Sequence, residues 1–234
     1  MITLVTQKMA IDREVICEDA ILWLTNNKID PQSSLMVSLP DISEFPHLSL
    51  EEWRIWFFET AKLVLSRTPD QSVTVFYQTD IKVEGTWIDK AFICQKAAES
   101  LGHPLLWHKL VCRTKPGTAS FGRPAYSHLL CFSKNVRLTD LSRSTPDVIP
   151  ELGEKTWERG MGLSTGLLIS KFILENTNSH TIINPFCGEG SMLAAANAMG
   201  LNAIGIERSP KRGEKAKRLE VSADLKNWMQ RDLK

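Results

Sequence analysis

The segment Asn184-Pro185-Phe186-Cys187-Gly188-Glu189-Gly190 follows a short apolar strand, Thr181 to Ile183, and opens an Ala-rich helix, Ser191 to Met199. Glycine adopts positive φ freely and lets a ligand approach the backbone, and a helix N-terminus offers unpaired N–H groups. Strand, glycine turn and helix in that order form a ligand-binding turn of α/β proteins. Gly188 and Gly190 fit the start of a G-x-G-x-x-G pattern, but the third position is Leu193, with Ala194 one place late. The place of the turn in the chain is the strongest constraint. Only 44 of the 234 residues follow Gly190, enough for one strand and one helix, whereas a nucleotide-binding sheet that starts at its glycine turn needs several more strands. The missing strands must come from the N-terminal side. The expectation is a circularly permuted order, cut between the helix after Glu207 and the strand at Val15.

Hydrophobic period and punctuation supply those strands. Val15–Cys17, Ser34–Val37, Val73–Tyr77, Leu105–Cys112, Tyr126–Phe132, Thr181–Ile183 and Ala203–Ile206 read as strands, rich in β-branched and aromatic residues. Between them, Ala20–Thr25, the segment after Ser49, Ile88–Leu101, Leu163–Leu174, Ser191–Met199 and the stretch from about Lys211 read as helices. Ser49 with Glu52 makes a capping box, and Trp53, Trp56, Phe57, Ala61, Val64 and Leu65 fall on one face behind it. Trp53, Trp56 and Trp87 read as packing residues. Alternating strands and helices predict an α/β fold with a doubly wound, mostly parallel seven-stranded sheet. The two long strands joined by the loop Thr114 to Pro124 have no helix between them and predict an antiparallel hairpin at one edge. The expected organisation is a single permuted domain over 1–234: a catalytic-loop and substrate half at 1–139, a linker at 140–160 and a cofactor half at 161–234.

Composition excludes several classes. With 43% hydrophobic and 24% charged residues the chain is globular, and no run approaches the roughly 18 apolar residues of a membrane span. Asp12, Glu14, Glu18 and Asp19 make the N-terminal region unlike a signal peptide, so a cytoplasmic protein without membrane contact is expected. The five cysteines are widely spaced without C-x-x-C, and His103 and His108 lack a third ligand, so neither a disulfide framework nor a metal site is expected. Cys187 reads as a packing thiol. The net charge of +1 says nothing about partners, so the positions of the charges must. From Gly102 to Thr139 there is no acidic residue, yet Lys109, Arg113, Lys115, Arg123, Lys134 and Arg137 occur there. Lys109, Arg113, Lys115 and Arg123 are the candidate substrate-binding residues for a polyanion, against the alternative of a solvated basic surface. Arg208, Lys211, Arg212, Lys215, Lys217 and Arg218 form a second cluster that reads as a solvated helix face or an extension of a phosphate track.

Glu207 stands at the end of the strand after the glycine turn, where an acidic side chain receives ribose hydroxyls; the alternative is a charge at the N-terminus of the helix that follows. Together, Asn184-Pro185-Phe186-Cys187-Gly188-Glu189-Gly190-Ser191, Ala194-Ala195-Ala196, Gly200 and Ile204-Gly205-Ile206-Glu207 closely resemble the D-P-F-C-G-x-G-T…A-A…G…I-G-I-E run of class I S-adenosylmethionine-dependent methyltransferases. The likeness is to the permuted branch of the amino-methylating DNA and RNA methyltransferases. The resemblance implies a Rossmann-like methyltransferase fold, S-adenosyl-L-methionine as cofactor, and cofactor-binding roles for Asp19, Ser38, Gly160, Gly162, Asn184, Pro185, Phe186, Gly188, Gly190 and Glu207. Asp19, in Cys17-Glu18-Asp19, would accept from the adenine amino group, and Arg159-Gly160-Met161-Gly162 would line the methionine end.

Ser38-Leu39-Pro40-Asp41 stands at the family's catalytic loop, D/N/S-P-P-Y/F/W, and departs from it twice. Leu39 replaces the first proline, and Asp41 replaces the aromatic residue that stacks on the target base. Ser38, Pro40 and Asp41 are the candidate catalytic residues. Asp41 would act as proton acceptor or substrate orienter, with a turn cap near Ser43 and Glu44 as the structural alternative. Only residues 134–160 separate the last long strand from the loop before the cofactor half, too few for a base-reading insertion. The expected acceptor is therefore a structured RNA, tRNA or rRNA, recognised by shape and phosphate contacts. The alternatives are a small molecule or protein side chain, amino-methylation of DNA, and a non-catalytic nucleic-acid-binding scaffold. A homodimer is left open.

Overall fold

The computed structural model describes residues 11–140, 144–158 and 160–222. The chain runs β1 (Arg13–Ile16), α1 (Ala20–Asn26), β2 (Ser33–Val37), α2 (Leu50–Ser66), β3 (Thr74–Gln78), β4 (Ile81–Val83), β5 (Thr86–Ile88) and α3 (Lys90–Glu99). It continues with β6 (Leu105–Cys112), β7 (Tyr126–Phe132), β8 (Val148–Ile149), α4 (Leu163–Asn176), β9 (Thr181–Asn184), α5 (Ser191–Ala198), β10 (Asn202–Ile206) and α6 (Pro210–Arg218). A 3-10 turn, Ile42–Glu44, follows β2.

The main sheet has eight strands in the order β1-β10-β9-β2-β3-β7-β6-β8. Every neighbouring pair is parallel except the two that β7 makes, with β3 and with β6. The glycine-turn strand β9 is ninth in chain order yet lies between β10 and β2, and β1 pairs β10 in register Val15↔Gly205. This is the permuted order expected from the position of Gly190. The sheet has one strand more than the seven expected. Two-residue β8 falls in the predicted linker and pairs β6 through Leu110↔Val148, and a segment that short carries no periodic signal. The hairpin β4–β5 was also unforeseen. Its turn places Glu84 at φ 49° and Gly85 at φ 76°, the two positive φ values of a two-residue hairpin turn.

Helices cover both faces, so β2 and β3 are buried at every residue and read as unbroken apolar or small-residue runs. Alternation along β2 divides the core. Leu35 and Val37 pack with Trp53, Phe57 and Phe76 under α1, α2 and α3, whereas Met36 packs with Ile169, Ile173, Ile182 and Leu193 under α4 and α5. Trp53 and Phe57 are fully buried, each contributing about 2–3 kcal/mol relative to exposure. The capping box forms as expected: Glu52 N donates to Ser49 Oγ at 3.3 Å and Ser49 N to Glu52 Oε2 at 2.8 Å. Trp87, expected to pack at a helix start, lies on β5 and is 42% exposed. No helix among the described residues is long and apolar enough to cross a membrane.

Candidate active site

The parallel strands β1, β10, β9, β2 and β3 end on one side of the sheet, and the segments that leave them enclose a cavity of about 230 Å³. Ligand sites of doubly wound sheets lie beyond the carboxyl ends of the strands for this reason. Glu18 and Asp19 follow β1, Glu207 and Arg208 follow β10, Pro185–Gly188 follow β9, Ser38–Asp41 follow β2, and Thr79 follows β3. Lys90, Arg113, Arg123 and the segment Lys155–Met161 complete the wall; Arg159 is outside the described residues.

Two carboxylates at the β1–β10 side, Asp19 and Glu207, are each fixed by one oxygen. Asp19 caps α1, its Oδ1 accepting from Ile21 N at 2.9 Å and Leu22 N at 3.1 Å. Glu207 is buried to 8% exposure, and its Oε1 accepts from Ser209 N at 2.8 Å. Their second oxygens take no hydrogen bond among the described residues, which leaves one acceptor on each side chain for a ligand. Asn184 orders the glycine turn through Oδ1, which accepts from Phe186 N at 3.1 Å. Burial, and then the neighbouring Glu207 carboxylate, push the Cys187 thiol up to about 12, so it stays protonated and packs, as expected.

The glycines divide into two kinds. Gly160 and Gly188 line the cavity, and a Cβ on either would meet the Trp157 ring, at 2.5 and 2.7 Å. Gly162 and Gly190 do not line it. A Cβ on Gly162 would fall 1.7 Å from the Leu152 carbonyl oxygen, and one on Gly190, at φ 89°, 2.7 Å from Ala216 Cα in α6. These two permit close backbone packing behind the site. Trp157 was not singled out in the sequence. Its ring lies over Gly188 and carries the Arg212 guanidinium 5.6 Å from its centroid; Arg212 in turn reaches Glu44 at 3.6 Å. Trp56 packs against the core beside α2, as expected, and with Phe45 also lines the cavity, their ring centroids 4.4 Å apart.

Asp41 sits in the cavity wall at the N-terminus of the 3-10 turn but makes no cap hydrogen bond. Its Oδ1 accepts from Lys90 Nζ, and its Oδ2 lies 3.3 Å from Arg123 Nη2. Both carboxylate oxygens are thus engaged by cations, which fixes Asp41 together with Lys90 and Arg123 at the cavity wall. Ser38 and Pro40 share the wall, and Trp53 Nε1 donates to the Pro40 carbonyl at 3.3 Å, fixing the loop from below.

Of the six cations between Gly102 and Thr139, Lys109, Arg123 and Lys134 are ion-paired, with Asp147, Asp41 and Asp70. Lys109 is 5% exposed, does not line the cavity, and donates to Thr145 O at 2.8 Å and Asp147 Oδ1 at 2.9 Å, which anchors the segment leading to β8. Lys115 is exposed on the loop outside the cavity, and Lys134 pairs with Asp70 at 3.3 Å. Of the four candidates only Arg113 and Arg123 reach the cavity. The basic helix α6 is tied to the glycine turn by Lys215–Glu189 at 2.6 Å and carries the pair Lys217–Glu214, at 2.8 Å, along its own surface; Arg212 turns to the cavity.

The histidines form a chain of their own. His108 Nε2 lies 2.8 Å from His128 Nδ1, and His128 Nε2 lies 3.0 Å from Asp80 Oδ2. Asp80, Asp89 and His128 bring ligand-capable atoms within 4.8 Å of one another. Both Asp80 oxygens are already engaged, however, by Lys90 N at 2.9 Å, Trp87 Nε1 at 2.9 Å and His128. The cluster caps α3 and so sets the start of the helix that delivers Lys90 to Asp41.

Searches against protein-family models and against curated proteins find no match. Solved structures do match. A protein from Thermus thermophilus described as a DNA modification methylase, complexed with S-adenosyl-L-methionine, aligns with TM-score 0.67 at 16% identity over 88% of this chain and 93% of its own. The cytosine-N4-specific PvuII DNA methyltransferase aligns with TM-score 0.65 at 15% identity, covering 93% and 92%. The complex of M1.HpyAVI with S-adenosylmethionine aligns with TM-score 0.58 at 16% identity, covering 88% and 98%. The chain has the Rossmann-like methyltransferase fold. Its strand order and the likeness to these three structures agree on that point.

Proposed function

We propose that the protein is an S-adenosylmethionine-dependent methyltransferase that modifies nucleic acid. The observation that carries this reading is the convergence on one cavity of the Asp19 and Glu207 carboxylates, each with an oxygen to spare, the glycine turn at Gly188 and the Ser38–Asp41 loop. The site fits the cofactor that the fold implies: Glu207 would accept from the ribose hydroxyls, Asp19 from the adenine amino group, and Gly160 and Gly188 would allow close approach to the backbone. When bound, S-adenosylmethionine supplies an electrophilic methyl group. The protein's part is to orient the acceptor atom in line and to exclude water. Ser38 offers a hydroxyl to the acceptor, while Lys90 and Asp41 fix Arg123 beside it.

DNA amino-methylation has more support than the RNA acceptor expected from the sequence. Two of the solved structures of this fold are described as DNA methylases, one of them specific for the N4 amine of cytosine, and two are complexes with S-adenosylmethionine. No comparison supports RNA. The test is transfer from methyl-labelled S-adenosylmethionine to genomic DNA and to total RNA, both taken from a strain lacking the gene. Label in DNA, mapped to an exocyclic amine, is the expected result; label in RNA alone reverses the preference, and label in neither removes nucleic acid as substrate.

A further inference from the structure

Along the sheet from β1 towards β6 the cavity wall changes sign. Glu18, Asp19 and Glu207 stand with the single cation Arg208 at the β1–β10 side, and Lys90, Arg113, Arg123 and Lys155 at the far side; Arg212 and Glu44, also in the wall, pair with each other at 3.6 Å and cancel. The far side holds two further carboxylates, Asp41 and Glu158. Asp41 is spent on Lys90 and Arg123. Arg113 donates to the Pro124 carbonyl at 3.1 Å and makes no ion pair among the described residues. Lys155 donates to the backbone carbonyl of Glu158. Four cations against two anions leave a surplus of two positive charges on the wall of a half-enclosed cavity. Burial first makes the charged forms of Arg113 and Lys155 harder to hold; on Arg113 the repulsion of Arg123 adds to it against the opposing Tyr77 and Asp41, and on Lys155 the repulsion of Arg113 and Arg123 adds to it against the opposing Glu158. Such an arrangement is offset when an anion enters it.

We propose that this side of the cavity is a phosphate subsite, in which Arg113, Arg123 and Lys155 hold the phosphate of the target nucleotide beside the point of methyl transfer. The proposal rests on the methyltransferase reading and goes beyond it in naming the part of the acceptor that enters. A phosphate fits better than a carboxylate. A phosphodiester of the acceptor strand carries one negative charge, so this phosphate and its neighbour along the strand offset the surplus of two, and tetrahedrally arranged oxygens accept from donors converging from three segments, whereas a lone carboxylate presents one charge in one plane. Asp41 then has a second task. By holding Arg123 at 3.3 Å it keeps that guanidinium at the cavity wall although its side chain is 54% exposed. The subsite also accounts for an aspartate where the family's loop carries an aromatic ring: here the acceptor is gripped by charge.

Calorimetry with the full chain, saturated with S-adenosylhomocysteine, tests this with dAMP, dCMP, the two matching nucleosides and inorganic phosphate as probes. At least one nucleotide is expected to bind tenfold or more tightly than its nucleoside, with an affinity that falls as salt rises. Arg113→Gln and Lys155→Gln should each weaken that nucleotide about tenfold and leave S-adenosylhomocysteine affinity unchanged, while Lys115→Gln, outside the cavity, changes neither. Equal binding of nucleotide and nucleoside, no binding of either, or wild-type nucleotide affinity in both variants overturns the proposal. Inorganic phosphate binding as tightly as the nucleotides overturns the nucleotide assignment. If S-adenosylhomocysteine fails to bind while nucleotides still discriminate by phosphate, the methyltransferase reading falls and the phosphate subsite stands.

Discussion

Lys90, whose side chain is 3% exposed, donates its ammonium to the carboxylate of Asp41, itself 18% exposed. A buried charge is tolerated because its partner is there, so the pair is costly to break from one side only. Asp41→Ala leaves the ammonium unpaired, and a loss of about 3 kcal/mol is expected, with Tm falling by roughly 6–12 °C for a chain of this size. Asp41→Leu combined with Lys90→Met should recover most of that loss. Thermal unfolding of the single and double variants measures both; a stable Asp41→Ala protein that has lost turnover would support the general-base role.

The two cavity glycines and the two packing glycines should respond differently. Gly190→Ala combines a positive φ with a Cβ 2.7 Å from the backbone of α6. It should cost about 2–3 kcal/mol of stability with a modest effect on cofactor affinity per folded molecule. Gly188→Ala, also at positive φ (57°), costs some stability too, but its Cβ meets the Trp157 ring at the cavity wall, and it should weaken cofactor binding tenfold or more per folded molecule. Chemical denaturation and calorimetry on the same preparations separate the two effects.

Stability should fall in two steps as the solution is acidified. Burial, and then the neighbouring His128, hold His108 below its usual value, and burial does the same to His103. Both are neutral in the fold and take up protons more readily when unfolded, so their contribution is present above about pH 6.5 and is lost as pH falls towards their folded values. Burial alone would raise Asp80, but hydrogen bonds from His128, Trp87 and Lys90 outweigh it and hold the carboxyl below its usual value. That contribution is present above about pH 4 and is lost below it. Urea unfolding from about pH 8 to about pH 3 tests the sequence of steps, and His108→Gln should flatten the upper one.

Lys109 separates anchor from substrate contact. Lys109→Met removes the bonds to Thr145 and Asp147 and should lower the unfolding midpoint, yet change nucleic-acid affinity by less than about twofold. A steep loss of nucleic-acid binding in a stably folded Lys109→Met protein would return this residue to the substrate side.

Much of the fold was legible because it rests on local signals. The seven strands expected from β-branched runs are all present, and the Ser49–Glu52 box starts α2 at Leu50. The permuted order shows in the pairing of β1 with β10, and the late place of the Gly190 turn, after six of the seven expected strands, was its sign in the sequence. What stayed hidden depends on contacts between distant residues. β8 is two residues long and exists through its pairing with β6. Lys109 and Arg113 sit four residues apart in the same acid-free stretch, but one meets Asp147 and the other the cavity, a distinction that charge counting cannot make. Trp157 lies in a charged segment with no periodicity, and its proximity to the expected loop at Gly160 was the one available sign. The Asp41 carboxylate was found, but its partners Lys90 and Arg123 are 49 and 82 residues away.

Calorimetric titration of S-adenosylmethionine into the wild-type protein and Glu207→Ala addresses the central claim most directly. The account predicts one site per chain in the wild type and an affinity at least tenfold weaker in Glu207→Ala, with Lys109→Met binding like the wild type. No binding by a folded wild-type protein, or equal affinity in Glu207→Ala, would contradict it.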